Sequence, residues 1–448
     1  MRDLLSVLEQ RMLEPTARGL VTAVTAAIRE GLLPPGTRLP PIRTIATQLG
    51  LSPTTVSAAW SLLARSGTIR TEGRRGTTVT DVGSIGTGRY RRALQHTSEF
   101  RLDLSTGVPD SRLLPDLRPA LRSLTTAGTP SSYLDDPVLP ELVDVLANDW
   151  PYPAAAFTIT DGAMDAIELI ARTTMRFGDR VAVEHPGFPP LLDLLDALGV
   201  ETVGIPVDES GLDLPALTAA LDSPVAAVVL QPRAQNPTGV SMTEHRAREV
   251  AQVLSGSDAV VVEDDSAGAI AHDPAISIGR WLPDRTLHIR SFSKSHGPDL
   301  RLAAVSGPSA LIAELTARRQ LGQGWSSRLL QRILLHLLTD PRTVDVLDHA
   351  RREYARRRSA AVQRLEQHGI RVAGTDGLNL WVPVHDENAA VVRLASQGVG
   401  VAPGAPFAVL PDQQRHVRVT VGLLGTEEQS VIDQLAAACL PGISSIIR

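Results

Sequence analysis

The rhythm of hydrophobic and polar positions changes twice along the 448 residues, and each change marks a boundary. Over residues 1–80 apolar side chains recur at helical spacing and then shift to brief alternation. That segment reads as helix, helix, turn, helix and a short hairpin. Ile42, Ile45, Ala46 and Leu49 form one helical stripe, closed by Gly50 where a C-terminal glycine belongs. Ser52 then caps and Pro53 opens a second helix, whose stripe is Val56, Ala59, Trp60 and Leu63. Thr68–Thr71 and Thr77–Val79 bracket Glu72-Gly73-Arg74-Arg75-Gly76, a hairpin with two arginines at its tip. Residues 81–100 are rich in Gly, Ser and Thr, then basic, with no apolar period, and read as a linker. From 101 to 448, short β-branched runs alternate with amphipathic stretches: Val181–Val183, Val225–Leu230, Val260–Val262 and Leu287–Ile289. The expected fold class is α/β: an N-terminal helix-turn-helix unit, a linker, and a body with a mostly parallel sheet wrapped by helices.

Charge sharpens that division. The net charge is -5, yet residues 1–80 hold ten arginines against five acidic residues, leaving the remainder near -10. A basic head on an acidic body suits nucleic acid at one end only, and the helix-turn-helix pattern makes double-stranded DNA the expected partner. Cys439 is the sole cysteine, so no intrachain disulfide is possible and a reducing compartment fits. No apolar run approaches a membrane span and Met1 leads directly into Arg2-Asp3, so a soluble, cytoplasmic protein is expected. Arginine occurs 43 times and lysine once, at Lys294. Arginine stays charged, whereas a lysine amine can lose its proton and form a Schiff base.

Five motifs of the body make chemical sense together. Thr160-Asp161-Gly162-Ala163-Met164 follows the apolar run Phe157–Ile159 and opens a helical pattern, so its free N–H groups form an anion site. Glu184-His185-Pro186-Gly187-Phe188 follows the next strand and can lay an aromatic face over a flat ring. Gln235-Asn236-Pro237-Thr238-Gly239 comes next. Asp264 then ends a β-branched run, where a buried carboxylate needs a partner such as a protonated pyridine nitrogen. Ser291-Phe292-Ser293-Lys294 and Arg301 place an amine beside hydroxyl and guanidinium phosphate ligands. Read singly, each motif has a structural alternative: Phe188 as core, the glycine turn as an ordinary turn, Lys294 as a solvated charge.

The head resembles the winged helix of the GntR regulators over residues 16–80. The resemblance rests on Pro35-Gly36-Thr37-Arg38-Leu39-Pro40, Arg43, Leu49-Gly50-Leu51-Ser52, Thr55-Val56 and Arg75-Gly76-Thr77. Arg43, Thr54, Thr55, Arg74 and Arg75 are the candidate DNA contacts. Pro53 stands where an arginine is common in that family, which removes one cationic contact. The body is similar to the fold-type I pyridoxal-phosphate aminotransferases, and head and body together resemble the MocR branch of GntR regulators. That resemblance implies pyridoxal 5'-phosphate held by Lys294 as a Schiff base, with Asp264 on its ring nitrogen and Asn236 on its ring oxygen. It further implies Phe188 stacked on the ring, and phosphate contacts from Ala163, Met164, Ser291 and Arg301. Tyr133 would reach the phosphate from the partner subunit of a homodimer, while Arg418 and Gly107 would receive an amino acid's carboxylate.

The departures bear on activity. Ser266 stands where relatives carry a tyrosine, and a serine reaches less far toward the ring oxygen. Val138 replaces a usual glycine before Leu139-Pro140, and Ala234-Gln235-Asn236-Pro237 is closer to a true aminotransferase than to the regulators. Three functions are compatible with these residues: a regulator sensing an amino acid or amine, a working aminotransferase with an accessory DNA-binding head, and a regulator sensing the cofactor itself.

Overall fold

Glu14-Pro15-Thr16 breaks the first helical pattern in two, because proline brings no N–H to a helix ladder and threonine caps the helix after it. The products are α1 (Arg2–Arg11) and α2 (Ala17–Arg29), with the Thr16 hydroxyl accepting from the Gly19 N–H at 3.0 Å. This is one helix more than the sequence pattern predicts. The helix-turn-helix pair comes next as α3 (Ile42–Gln48) and α4 (Pro53–Arg65). Gly50 sits at φ +65° in the turn, and Ser52 Oγ accepts from the Thr55 N–H at 3.0 Å, as a cap should. Strand β1 (Arg38–Leu39) joins the hairpin of β2 (Ile69–Thr71) and β3 (Thr77–Val79) in the antiparallel order β1-β3-β2. Two residues are too few to show alternation, so β1 escaped the sequence pattern. Leu20, Val24, Ile45, Val56, Ala59, Leu63, Ile69 and Val79 close the core beneath these elements.

The computed structural model describes residues 2–12, 14–34, 36–65, 68–71, 76–79, 88–89, 100–124, 132, 135–411, 415–425 and 429–440. The body opens with the short strand β4 (Leu102–Asp103). Its main sheet has eight strands: β5 (Ala156–Thr160), β6 (Arg180–His185), β7 (Glu201–Asp208), β8 (Gly211–Leu212), β9 (Ala227–Leu230), β10 (Val260–Asp265), β11 (Thr286–Ser291) and β12 (Ala303–Gly307). The spatial order is β5-β12-β11-β10-β9-β6-β7-β8. The five central strands β11, β10, β9, β6 and β7 run parallel, and β12 is antiparallel to both its neighbours. Helices cover both faces, which explains why these strands read as continuous apolar runs rather than alternating ones. The run from Val225 becomes strand at Ala227, and the Ala226 N–H bonds the Arg180 carbonyl in the approach to the sheet.

Among the body helices, α5 (Ala163–Thr174) and α6 (Pro189–Leu198) follow β5 and β6, and α7 (Ser309–Gln320) packs on α5. A 27-residue helix, α8 (Pro341–Gln367), leads to a second lobe. That lobe holds β13 (Asn379–Pro383), β14 (Val399–Gly400), β15 (Ala402–Pro403) and β16 (His416–Thr420). Its sheet runs β13-β16-β15, while β14 pairs with β4 and so brings residues 102–107 to the same place.

Head and body touch in two ways. The Phe177 ring packs against the head's apolar core. From the linker, Arg89 Nε donates to Asp193 Oδ1 at 2.8 Å and its Nη2 to Asp196, both on α6. Among the described residues no helix is long and apolar enough to cross a membrane.

Candidate functional site

The carboxyl ends of the parallel strands gather the predicted motifs, as expected where an α/β sheet binds a ligand. Ser291 pairs with Ala303 and Ala303 with Thr160, so the Ser291 motif and the glycine turn end on one row of the sheet. Gly162 stands at φ +98°, and a Cβ there would lie 3.0 Å from Arg301 Nη2. Glycine therefore lets the exposed Arg301 lie across the start of α5, where Nη2 donates to the Asp161 carbonyl at 3.2 Å. Ala163 and Met164 open that helix, and their N–H groups have no partner in the helix ladder. Behind the turn, buried Arg319 of α7 ion-pairs with Asp165 and with Asp161 at 3.3 Å, and reaches Ser326 Oγ at 3.1 Å. The result is a turn at a helix N-terminus with free N–H groups and the Arg301 guanidinium beside them, an arrangement that suits a phosphate.

Lys294 is half-buried beside Ser266, its Nζ 3.2 Å from Ser266 Oγ. Burial lowers the lysine's pKa, Asp264 opposes that shift, and Arg418 adds to it. A neutral amine is the nucleophilic form. Asp264 is also buried, and burial raises its pKa against the hydrogen bond from Gln231 and the charge of Lys294. Its Oδ2 accepts from Gln231 Nε2 at 2.7 Å, whereas its Oδ1 is buried with no partner among the described residues. Phe188, half-buried at the start of α6, lines one small cavity together with Gln231 and Asp264.

Arg418 lies on β16, the middle strand of the second lobe's sheet, and is 2 % exposed. It is thus no edge arginine. Its Nη1 donates to Asn236 Oδ1 at 3.3 Å, its Nη2 to the Ser105 carbonyl, and its guanidinium stands 5.3 Å over the Phe407 ring. Gly107, at φ +69°, would put a Cβ 3.3 Å from Arg418 Nη1, so any side chain there would crowd the guanidinium. Asn379 Nδ2 also approaches Asn236 Oδ1, at 3.5 Å. With Oδ1 accepting from both, the Asn236 Nδ2 hydrogens remain as donors for a ring oxygen.

Sequence reasoning missed three groups that complete this geometry. Gln231 follows β9 and bonds four residues at once, Glu184, Asn236, Asp264 and Ser266; its only signal was its place after an apolar run. Gln331 is fully buried and fixes the Val138–Leu139 segment by accepting from the Leu139 N–H and donating to the Pro137 carbonyl. Glu184 is buried at the end of β6, accepting from the Gln231 N–H at 3.0 Å and from Gln235 Nε2 at 3.3 Å. Burial pushes its pKa from 4.5 up to about 8. The folded chain then holds a proton there that the unfolded chain releases near pH 4.5, so this contribution to stability is full below pH 4.5 and lost as pH rises through about 8. Glu184→Gln should flatten the fall of the cofactor-free protein's melting temperature across that window; an unchanged slope would show the carboxyl to be ionised throughout.

In the head, Arg43 and Thr54 are exposed and Thr55 is half-buried. Ser52 Oγ lies 2.7 Å from both threonine hydroxyls, which ties Thr54 and Thr55 to the start of α4. Arg74, Arg75 and Tyr133 fall outside the described residues.

Comparison with known proteins matches residues 16–79 to the bacterial regulatory proteins of the gntR family and residues 101–435 to aminotransferase class I and II. The vitamin B6 salvage pathway transcriptional repressor PtsJ of Salmonella typhimurium is 36% identical over 94% of this chain and 97% of its own length. The pyridoxine biosynthesis transcriptional regulator PdxR of Corynebacterium glutamicum is 30% identical over 69% of this chain and 70% of its own. Among solved structures, the kynurenine aminotransferase of Pyrococcus horikoshii superposes with a TM-score of 0.72 at 23% identity, over 81% of this chain and 96% of that one. With a gntR head, an aminotransferase body and full-length regulator relatives, the chain belongs to the MocR branch of the GntR transcriptional regulators.

Proposed function

We propose that this regulator binds pyridoxal 5'-phosphate at Lys294 and reads that cofactor as its signal, controlling genes of vitamin B6 supply from the cytoplasm. One observation carries the proposal: Asp264 Oδ1 is a buried carboxylate oxygen without a partner among the described residues. Leaving such an atom unsatisfied costs on the order of 1–3 kcal/mol. A protonated ring nitrogen supplies the missing donor. The phosphate belongs between the first N–H groups of α5, Ser291 and Arg301, and the ring oxygen belongs at Asn236. Bound there, the cofactor contributes an aldehyde and an electron-withdrawing ring. The protein's own part is to present Lys294 as a neutral amine, to hold the ring against Phe188 and to keep Asp264 ionised. The names of the PtsJ and PdxR relatives support vitamin B6 as the controlled supply.

In this reading residues 1–80 bind DNA, residues 81–100 connect, and residues 101–448 sense. Arg43, Thr54, Thr55, Arg74 and Arg75 face the DNA, and the protein works as a homodimer. Leu321 and Leu329, 90% and 58% exposed, flank the contact of Gln323 with Asp161 and suit a subunit interface beside the phosphate turn. Arg418 with Gly107 favours a second reading, in which an amino acid docks its carboxylate there and is the true effector. Sustained release of a keto acid over many turnovers would instead mark a working aminotransferase.

The test is a titration of the purified protein with pyridoxal phosphate, followed by visible absorption and by retention of operator DNA. Yellow colour together with a 5- to 150-fold change in DNA affinity, the usual range for a coupling of about 1–3 kcal/mol, is expected from the cofactor alone. A response that needs added amino acid would move the assignment to the second reading. Protein that stays colourless would end both.

A further inference from the structure

Gln231 is 7% exposed, and each of its hydrogen-bonding side-chain groups is engaged at the site. Its backbone N–H donates to Glu184 Oε2 at 3.0 Å, and its Oε1 accepts from the Asn236 N–H at 2.7 Å. Its Nε2 donates to Asp264 Oδ2 at 2.7 Å and to Ser266 Oγ at 3.3 Å, and Ser266 Oγ in turn accepts from Lys294 Nζ at 3.2 Å. One amide group therefore connects the residue facing the ring nitrogen, the residue facing the ring oxygen and the residue beneath the amine.

We infer that Gln231 is the positioning residue that couples the two ends of the cofactor site, in a chain whose Ser266 is too short to span them. The inference rests on the reading of this site as a pyridoxal-phosphate site. Two physical points support it. An amide NH2 has two hydrogens in one plane, so it can serve Asp264 Oδ2 and Ser266 Oγ together, which leaves Oδ1 as the carboxylate oxygen without a partner among the described residues. A hydrogen bond to a carboxylate also favours its ionised form. Without Gln231, Asp264 ionises less readily and holds the ring nitrogen's proton less well. The ring then withdraws fewer electrons, and the lysine-linked nitrogen keeps its proton to higher pH. Loss of the Ser266 contact acts in the same direction, because the hydroxyl is no longer held for the ring oxygen.

The experiment compares full-length wild type, Gln231→Met, Gln231→Asn and Ser266→Ala, each reconstituted with pyridoxal phosphate, by titrating the yellow band with pH. Methionine keeps the volume and removes both polar ends; asparagine keeps the amide but falls one methylene short. Both Gln231 variants are expected to move the midpoint upward by about one unit and to weaken cofactor binding about tenfold, each equal to about 1.4 kcal/mol. Ser266→Ala should move it upward by less. A role in packing alone would leave the asparagine midpoint in place, and wild-type midpoints in both Gln231 variants would overturn the inference. Should Gln231→Met fail to fold, the asparagine variant decides. Colourless wild-type protein overturns the underlying site assignment, a result distinct from a yellow wild type with unshifted variants.

Discussion

Lys294→Ala is expected to abolish the yellow colour that pyridoxal phosphate gives the wild-type protein, and with it the response of DNA binding to the cofactor. No second ε-amine can take over, since the chain has a single lysine among 448 residues. The 43 arginines cannot substitute, because a guanidinium keeps its proton and is not nucleophilic. Phosphate and ring contacts would remain, so some non-covalent binding should survive. Loss of the covalent link should weaken it at least about 100-fold, or about 2.7 kcal/mol. Absorption and gel retardation measured on one preparation check this. If DNA binding by the variant responds at wild-type cofactor concentrations, Lys294 is not the point of capture.

Asp264→Asn should act with opposite sign in the two states of the protein. In the cofactor-free chain Asp264 is buried with one oxygen unpartnered among the described residues, and burial already disfavours its charge. A neutral amide of the same shape removes that penalty, so the cofactor-free melting temperature should rise. In the bound state the amide cannot neutralise a ring nitrogen's charge. Removing one partner of a buried, hydrogen-bonded charge pair costs about 2–5 kcal/mol, so cofactor affinity should fall at least about 30-fold. Thermal melts with and without pyridoxal phosphate report both effects. Tight binding by the variant would show that Asp264 does not face the ring.

The sequence disclosed the parts of this molecule whose chemistry is local. Val181–Val183, Val260–Val262 and Leu287–Ile289 are each strand because a sheet buried on both faces demands continuous apolar runs. Ser52 with Pro53 announced the start of α4 because capping is settled within a few residues. The order of motifs from Gly162 to Lys294 likewise foretold which strand ends would meet. The features that stayed hidden depend on partners distant in sequence. Gln231 looked like any residue after a strand until Asp264, 33 positions on, placed a carboxylate over it. Gln331 bonds a backbone N–H 192 positions away. Ser266 was legible as a shortened tyrosine, but its bond to Lys294 came only from the folding of two strand ends together.

Helix α6 is capped by Phe188, beside the candidate ring site, and carries Asp193 and Asp196, which hold Arg89 of the linker. Ten residues of helix span about 15 Å and move as a rod. Under the proposed function the first turn would lie against the cofactor, while the later turns hold Arg89 of the segment leading to the head. Partly exposed ion pairs such as those of Asp193 and Asp196 with Arg89 are worth about 0–1 kcal/mol each. Under the proposed function, the side chains that bind the signal and those that tie down the linker are different ones. Substitutions at Asp193 and Asp196 would then alter how the head is tethered while leaving Phe188, Asp264 and Lys294 in place.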